Sequence, residues 1–146
     1  MSEDSHGTEK YIQENILAVD FDGTCVYPRD VHASNFAEID VPHAVRVLRR
    51  FVKHGWKIVL WTCRNQEFIS EAEQWFADRN ILLMSINVNN IESMHPNYRD
   101  YFDREGSSPK VFANIYVDDR NIAFCNLPYV DWLRVEMVVF GNNEVE

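Results

Sequence analysis

The chain has 146 residues, 46% of them hydrophobic and 13% aromatic, which fits one globular domain and excludes a disordered segment. Its net charge of −9 argues against nucleic-acid or anionic-membrane partners, because these need a basic surface. No apolar run is long enough for a transmembrane helix. The three widely spaced cysteines disfavour a disulfide framework or a zinc knuckle, and they favour a cytoplasmic location.

The first predicted element is a short apolar run, Ile16–Val19, which has the character of a strand buried on both faces. Asp20, Asp22 and Thr24 follow it at the point where ligands bind in parallel α/β sheets. The two aspartates are two residues apart, so their carboxylates share a direction if the strand geometry continues. Gly23 allows a sharp turn between them and the next hydroxyl. A plain Asp-Gly turn, with a carboxylate capping a backbone amide, also fits these residues.

Helices and strands alternate along the rest of the chain. An apolar stripe at spacings of three and four predicts a helix that has Asp40 as its N-cap and stops at Gly55. The further predictions are a strand at 57–62, a helix at 66–79, and strands at 81–86, 111–117 and 135–140.

This alternation predicts an α/β fold, a doubly wound, Rossmann-like parallel sheet of about five strands with helices on both faces. One domain is expected to cover residues 15–141. Residues 1–14 are polar and are expected to form a flexible leader, and residues 142–146 a frayed tail.

Polar residues also mark the later strands. Thr62 ends the second strand, Asp118 and Asp119 end the fourth, and Lys110 precedes the fourth. Each has an ordinary explanation alone, as a strand end, a helix cap or a solvated lysine. In a parallel sheet, however, these strand ends can meet the aspartates of the first strand. Several carboxylates beside one lysine would require protonation or a cation, and hard oxygen ligands favour Mg²⁺ over zinc.

A phosphoryl group would complete such a site. Thr62 could donate a hydrogen bond to one phosphoryl oxygen, and Lys110 could neutralise another. Asp20 would then be placed to attack phosphorus and form an aspartyl-phosphate. Asp22 could protonate the leaving oxygen and later activate water.

Four short motifs occur in an order that resembles the haloacid dehalogenase (HAD) superfamily of phosphohydrolases, in its small capless form. They are residues 20–24 (Asp-Phe-Asp-Gly-Thr), 60–62 (Leu-Trp-Thr), Lys110 and 117–119 (Val-Asp-Asp). The resemblance implies an HAD-like fold with Asp20 as nucleophile and metal ligand. It also implies Asp22 as general acid/base with its carbonyl on the metal, and Thr62 and Lys110 as anchors of the phosphoryl group.

The resemblance further implies that Asp119 binds the metal directly and that Asp118 acts through water or a hydrogen bond. Thr24, Arg64 and Asn65 lie within or just after motifs and are candidate substrate-binding residues. For Arg64, a surface salt bridge is the ordinary alternative role.

These observations predict a magnesium-dependent phosphatase that hydrolyses a phosphate monoester through an aspartyl-phosphate on Asp20. The expected substrate is a small phosphorylated molecule. The spacers between motifs leave no room for a large cap domain, so a neighbouring subunit of a homo-oligomer could close the open site. The alternatives are a non-catalytic metal- or phosphate-binding module with the same fold and, less favoured, a receiver-type phosphoacceptor domain.

Overall fold

The computed structural model describes residues 15–28, 39–90, 96, 99–100, 109–122 and 128–141. The predicted leader and tail lie outside these residues. The described elements follow in the order β1 (Ile16–Val19), α1 (Ala44–Lys53), β2 (Lys57–Leu60), α2 (Gln66–Asp78), β3 (Leu83–Ile86), β4 (Ile115–Val117) and α3 (Trp132–Phe140). Within the described ranges, no helix combines the length and the apolar character needed to cross a membrane.

The four strands form one parallel sheet in the order β3-β2-β1-β4. Val19, the last residue of β1, pairs with Leu60 of β2 and Val117 of β4, so these three strands end level with one another. The chain first builds outward from β1 to β3 and then returns to the other side of β1. Such a reversal opens a crevice at the carboxyl ends of the two strands that flank it. The predicted α/β sheet is therefore confirmed, and its crevice lies between β1 and β4.

Buried residues from α1, α2 and α3 pack on one face of the sheet. The hydrophobic core on this face includes Leu17, Val19, Phe21, Val47, Leu48, Phe51, Ile58, Leu60, Ala72, Trp75, Phe76, Trp132 and Val135. On the opposite face Val111 packs against Ile16 and Val59. The described residues just before β4 therefore cover part of that second face. Much of the connection from β3 to β4 lies outside the described residues, so helices on the second face stay a prediction.

The fifth strand, predicted at 135–140, is wrong, because these residues belong to α3. Trp132 and Val135 are buried, whereas Met137 and Val138 are exposed, which is a helical alternation of faces. The Asp131 side chain accepts a hydrogen bond from the Arg134 amide at 3.2 Å and caps this helix. A short apolar run does not by itself distinguish a strand from a buried helix.

The predicted capping role of Asp40 is also wrong. Helix α1 begins at Ala44, and its N-cap residue is His43 in the left-handed region, with φ of 68°. The Asp40 carboxylate instead accepts hydrogen bonds from Trp75 Nε1 at 2.8 Å and from Arg79 Nη2 at 2.9 Å. Asp40 therefore ties the start of α1 to the last turns of α2.

Candidate active site

Three carboxylates meet in the crevice between β1 and β4. Asp20 follows β1 directly, and Asp118 and Asp119 follow β4. The two strand ends are joined by a hydrogen bond from the Asp20 amide to the Val117 carbonyl, at 3.0 Å. Each of the three aspartates offers one oxygen, and these oxygens all lie within 4.8 Å of one another. This aspartate cluster could hold a metal ion.

The negative charges of the aspartate cluster repel one another. Burial and the negative charge of Asp118 raise the pKa of Asp20 from 3.8 to about 7. Burial and the same neighbour also raise the pKa of Asp119. A bound cation would remove this repulsion, and carboxylate oxygens are the ligands that hard divalent cations take. The donor set and its electrostatics therefore fit a divalent metal ion.

Thr24 binds the two halves of the aspartate cluster together. Its hydroxyl donates to Asp20 Oδ2 at 3.0 Å and accepts from the Asp119 amide at 3.1 Å. Its carbonyl accepts a hydrogen bond from the buried Trp132 indole N–H at 2.7 Å. Thr24 is fully buried, so its side chain is not exposed to a ligand, and its predicted substrate contact stays a prediction.

Gly23 allows the loop after β1 to pass close to the aspartate cluster. Its φ is +79°, a conformation that side chains with a Cβ rarely adopt. A Cβ at this position would overlap Asp119 Oδ2 and lie 2.9 Å from Asp119 Cγ. The glycine is therefore needed both for the turn and for the place that Asp119 occupies.

Asp22 is not a member of the aspartate cluster, and its carboxylate binds an arginine. Arg64 Nε donates to Asp22 Oδ2 at 2.8 Å, and Arg64 Nη2 donates to Asp22 Oδ1 at 2.7 Å. The Arg64 side chain is only 6% exposed, against 35% for Asp22, so this is not a surface salt bridge. Metal ligation by the Asp22 carbonyl stays a prediction.

The aspartate cluster opens into a cavity of about 690 Å³. Thr62 stands on its wall, and the Asn87 side chain fixes the Thr62 backbone through bonds of 2.8 and 2.9 Å. The Thr62 hydroxyl accepts from the Arg64 amide at 3.2 Å, which leaves its own proton for donation to a ligand. The lining residues are Asp20, Asp22, Pro28, Thr62, Cys63, Arg64, Phe68, Asp118, Asp119 and Arg120.

Sequence reasoning missed the supporting role of Asn87. The sequence does place an asparagine directly after a predicted strand. Asparagine tolerates the left-handed backbone conformation, so a tight turn could have been predicted there. The φ of Asn87 is 58°. This turn places the Asn87 amide against the backbone of Thr62, so the end of β3 holds the end of β2.

Besides Thr24, two residues predicted for the site lie outside the lining of this cavity. The exposed Lys110 has its ammonium 5.1 Å from the centre of the Tyr116 ring. The exposed Asn65 is the N-cap residue of α2, and its carbonyl accepts the Ile69 amide at 2.7 Å. Phosphoryl anchoring by Lys110 and substrate contact by Asn65 stay predictions.

No protein-family model matches the chain, and no curated protein matches it either. Among solved structures it is similar to a conserved protein from Bacteroides thetaiotaomicron, with 26% identity and a TM-score of 0.62 over 91% of this chain and 99% of that one. It is also similar to a chain in the Pnkp1/Rnl/Hen1 RNA repair complex, with 19% identity and a TM-score of 0.50 over 75% of this chain and 37% of that one. The second likeness concerns the fold alone.

Proposed function

We propose that this protein is a magnesium-dependent phosphatase of the HAD type that hydrolyses a phosphate monoester. The observation that carries the proposal is the aspartate cluster at the base of an open cavity, at the switch point of a parallel sheet. The order of its motifs along the chain supports the same proposal. A metal-binding module without turnover would share the cluster but would have no use for Asp22 facing the cavity beside it.

In the first step an Asp20 carboxylate oxygen attacks phosphorus, and the bond from phosphorus to the ester oxygen breaks. The leaving oxygen takes a proton from Asp22, so an alcohol departs and an aspartyl-phosphate remains. In the second step Asp22 accepts a proton from water as the water oxygen attacks phosphorus. The bond between phosphorus and the Asp20 oxygen breaks, inorganic phosphate leaves, and both carboxyl groups return to their starting states.

Asp20, Asp118 and Asp119 would hold the metal. Magnesium, when bound there, would neutralise charge on the phosphoryl oxygens and on the carboxylates around them. Thr62 would donate its hydroxyl proton to a phosphoryl oxygen from the cavity wall. The raised pKa of Asp20 supports this assignment, because it reflects burial of the carboxylate and the negative charge of Asp118, and a cation beside Asp20 would offset both.

The substrate is proposed to be a small phosphorylated molecule, since the cavity of about 690 Å³ is large enough for a sugar phosphate or a nucleotide. We also propose that a second copy of the chain closes this open cavity. RNA ends are a further substrate to test, because a similar fold occurs in an RNA repair complex. The net charge of −9 argues against them.

The test is phosphate release from p-nitrophenyl phosphate by the wild-type protein and by Asp20→Asn, each with Mg²⁺ and with a chelator. The matched control is Asp78→Asn, the same substitution at an exposed position on α2. We expect release that needs Mg²⁺, persists in Asp78→Asn and falls at least 10³-fold in Asp20→Asn. Mass spectrometry of acid-quenched wild-type protein should find the phosphoryl group on Asp20.

Equal release by wild type and Asp20→Asn would overturn the assignment of the nucleophile. No release by the wild type from aryl, sugar, nucleotide or RNA phosphates, with Mg²⁺ still bound, would favour the non-catalytic binding module. Stable phosphorylation of an aspartate without turnover would favour the receiver-type alternative.

A further inference from the structure

We propose that Arg64 is a positioning residue for Asp22: it holds this carboxylate beside the leaving oxygen of the substrate and does not itself bind the substrate. This inference rests on the proposed phosphatase activity. It concerns a role for Arg64 that its position just after the second motif does not reveal.

Protein groups already engage most of the Arg64 guanidinium. Two of its N–H groups bind the two oxygens of Asp22. Nη1 donates to the Phe68 carbonyl at 2.9 Å and lies 3.4 Å from Glu71 Oε1. A guanidinium has five N–H donors, and these contacts use four of them. Little of its hydrogen-bonding capacity is therefore left for a phosphate group.

One flat face of the Arg64 guanidinium is also covered. Its central carbon lies 4.6 Å from the centre of the Phe21 ring, an arrangement in which a cation rests on an aromatic face. Phe21 is fully buried and packs edge-on against Trp75. The arginine therefore rests on the core itself, which explains why its side chain is only 6% exposed.

Asp22 shows the opposite character, because its side chain is 35% exposed and lines the cavity. Each carboxylate oxygen can accept two hydrogen bonds. With one N–H of Arg64 on each oxygen, Asp22 keeps capacity on its cavity side to exchange a proton with a substrate or with water. A rigid arginine on one side therefore fixes the direction of the Asp22 carboxylate, and the open cavity on the other side leaves this carboxylate accessible to a substrate or to water.

The same contacts link Asp22 to α2. Phe68 and Glu71 lie in the first two turns of this helix, so the start of α2 determines where the guanidinium sits. Thr62 and Arg64 belong to one short segment after β2, and the Arg64 amide donates to the Thr62 hydroxyl. One segment therefore places both the proposed phosphoryl contact and the proposed acid.

The test depends on the leaving group. A general acid matters greatly for an alkyl phosphate, whose leaving oxygen needs a proton, and little for p-nitrophenyl phosphate, whose leaving oxygen is stable as an anion. We would measure kcat and KM for both esters with wild type, Asp22→Asn, Arg64→Met and the double variant. Arg79→Met is the matched control, because Arg79 also stacks on a ring and binds an aspartate, but outside the cavity.

Because Asp22 also activates the water of the second step, kcat should fall with both esters. For kcat/KM, which reports formation of the aspartyl-phosphate, we expect Arg64→Met to cost 10- to 10³-fold with the alkyl ester and less than threefold with the aryl ester. Adding it to Asp22→Asn should cost less than a further threefold with either ester, because the two residues act as one unit. Arg79→Met should leave both reactions near wild type. If Arg64→Met fails to fold, Arg64→Lys should show the same pattern, since lysine cannot hold two carboxylate oxygens in one plane.

A higher KM for both esters at unchanged kcat would show substrate binding by Arg64 and overturn the proposal. Losses that multiply in the double variant would overturn it as well. Absence of magnesium-dependent release from both esters in the wild type would instead refute the proposed function, and this inference with it.

Discussion

Replacing Asp20 with asparagine is expected to stabilise the metal-free protein while abolishing the proposed phosphatase activity. Burial and the charge of Asp118 raise the pKa of Asp20 from 3.8 to about 7. An acid whose pKa is higher in the folded than in the unfolded chain favours folding while it is protonated, so the free energy of unfolding falls as pH rises from about 4 to about 7. Three pKa units correspond to about 4 kcal/mol. Because neighbouring aspartates share protons, we expect a gain of about 2 to 4 kcal/mol at pH 8.

The asparagine fits the contacts of the residue that it replaces. Its amide oxygen can accept the Thr24 hydroxyl that donates to Asp20 at 3.0 Å. Its amide nitrogen can donate to a carboxylate of the aspartate cluster. The Phe21 amide also donates to the Asp20 carboxylate, and it can share the remaining amide oxygen with Thr24. The substitution therefore removes a negative charge and leaves no cavity.

Urea denaturation with a chelator, at pH 4.5 and pH 8, measures this effect. At pH 4.5 the wild-type carboxyl is largely protonated in the folded chain, so the gain should fall to about 1 kcal/mol or less. Asp22→Asn is the control, because it removes the partner of the nearly buried Arg64 and should lose about 2 kcal/mol. Lower stability of Asp20→Asn at pH 8, or an equal gain at both pH values, would refute the reasoning.

Three further predictions concern the metal, the glycine turn and acid stability. Mg²⁺ affinity, measured by titration calorimetry, should rise about tenfold per pH unit up to about pH 7, because the metal displaces the Asp20 proton; equal affinity at pH 6 and 8 would contradict this. Gly23→Ala should lower Mg²⁺ affinity at least tenfold and destabilise the fold by about 1 to 3 kcal/mol, because its Cβ displaces Asp119; Gly55→Ala, whose Cβ meets nothing within 4 Å, is the comparison for backbone strain alone. Hydrogen bonding from Arg46, with a further contribution from Arg50, lowers the pKa of Glu136 to about 2. The stabilisation from Glu136 is therefore present above about pH 4.5 and lost as pH falls toward 2, so Glu136→Gln should cost about 2 kcal/mol at pH 7 and almost nothing at pH 2 in denaturant titrations.

Local patterns were sufficient for the elements that bury an apolar face. Strand β1 and helix α2 lie where the sequence predicts them. A continuous apolar run buries its side chains best as a strand inside a sheet, and apolar residues spaced three and four apart bury theirs best along one face of a helix. The approach of Asp20 to the acidic pair after β4 also followed from sequence, since carboxyl ends of parallel strands share one edge. The prediction of a strand at 135–140 is wrong because a short apolar run fits both a strand and a buried helix. Packing against the core decides which residues of the run are buried.

Only the tertiary structure decided which of the predicted site residues face the cavity. The sequence suggests that the Thr24 hydroxyl is available to bind a substrate. In the structure this hydroxyl is buried between Asp20 and the Asp119 amide. The sequence suggests either substrate binding or a surface salt bridge for Arg64. In the structure its guanidinium stacks on the buried Phe21 ring and binds Asp22. These partners lie up to 95 residues apart in sequence. No local pattern encodes such contacts, because hydrogen bonds and ion pairs depend on distances that exist only once the strands have paired and the core has packed.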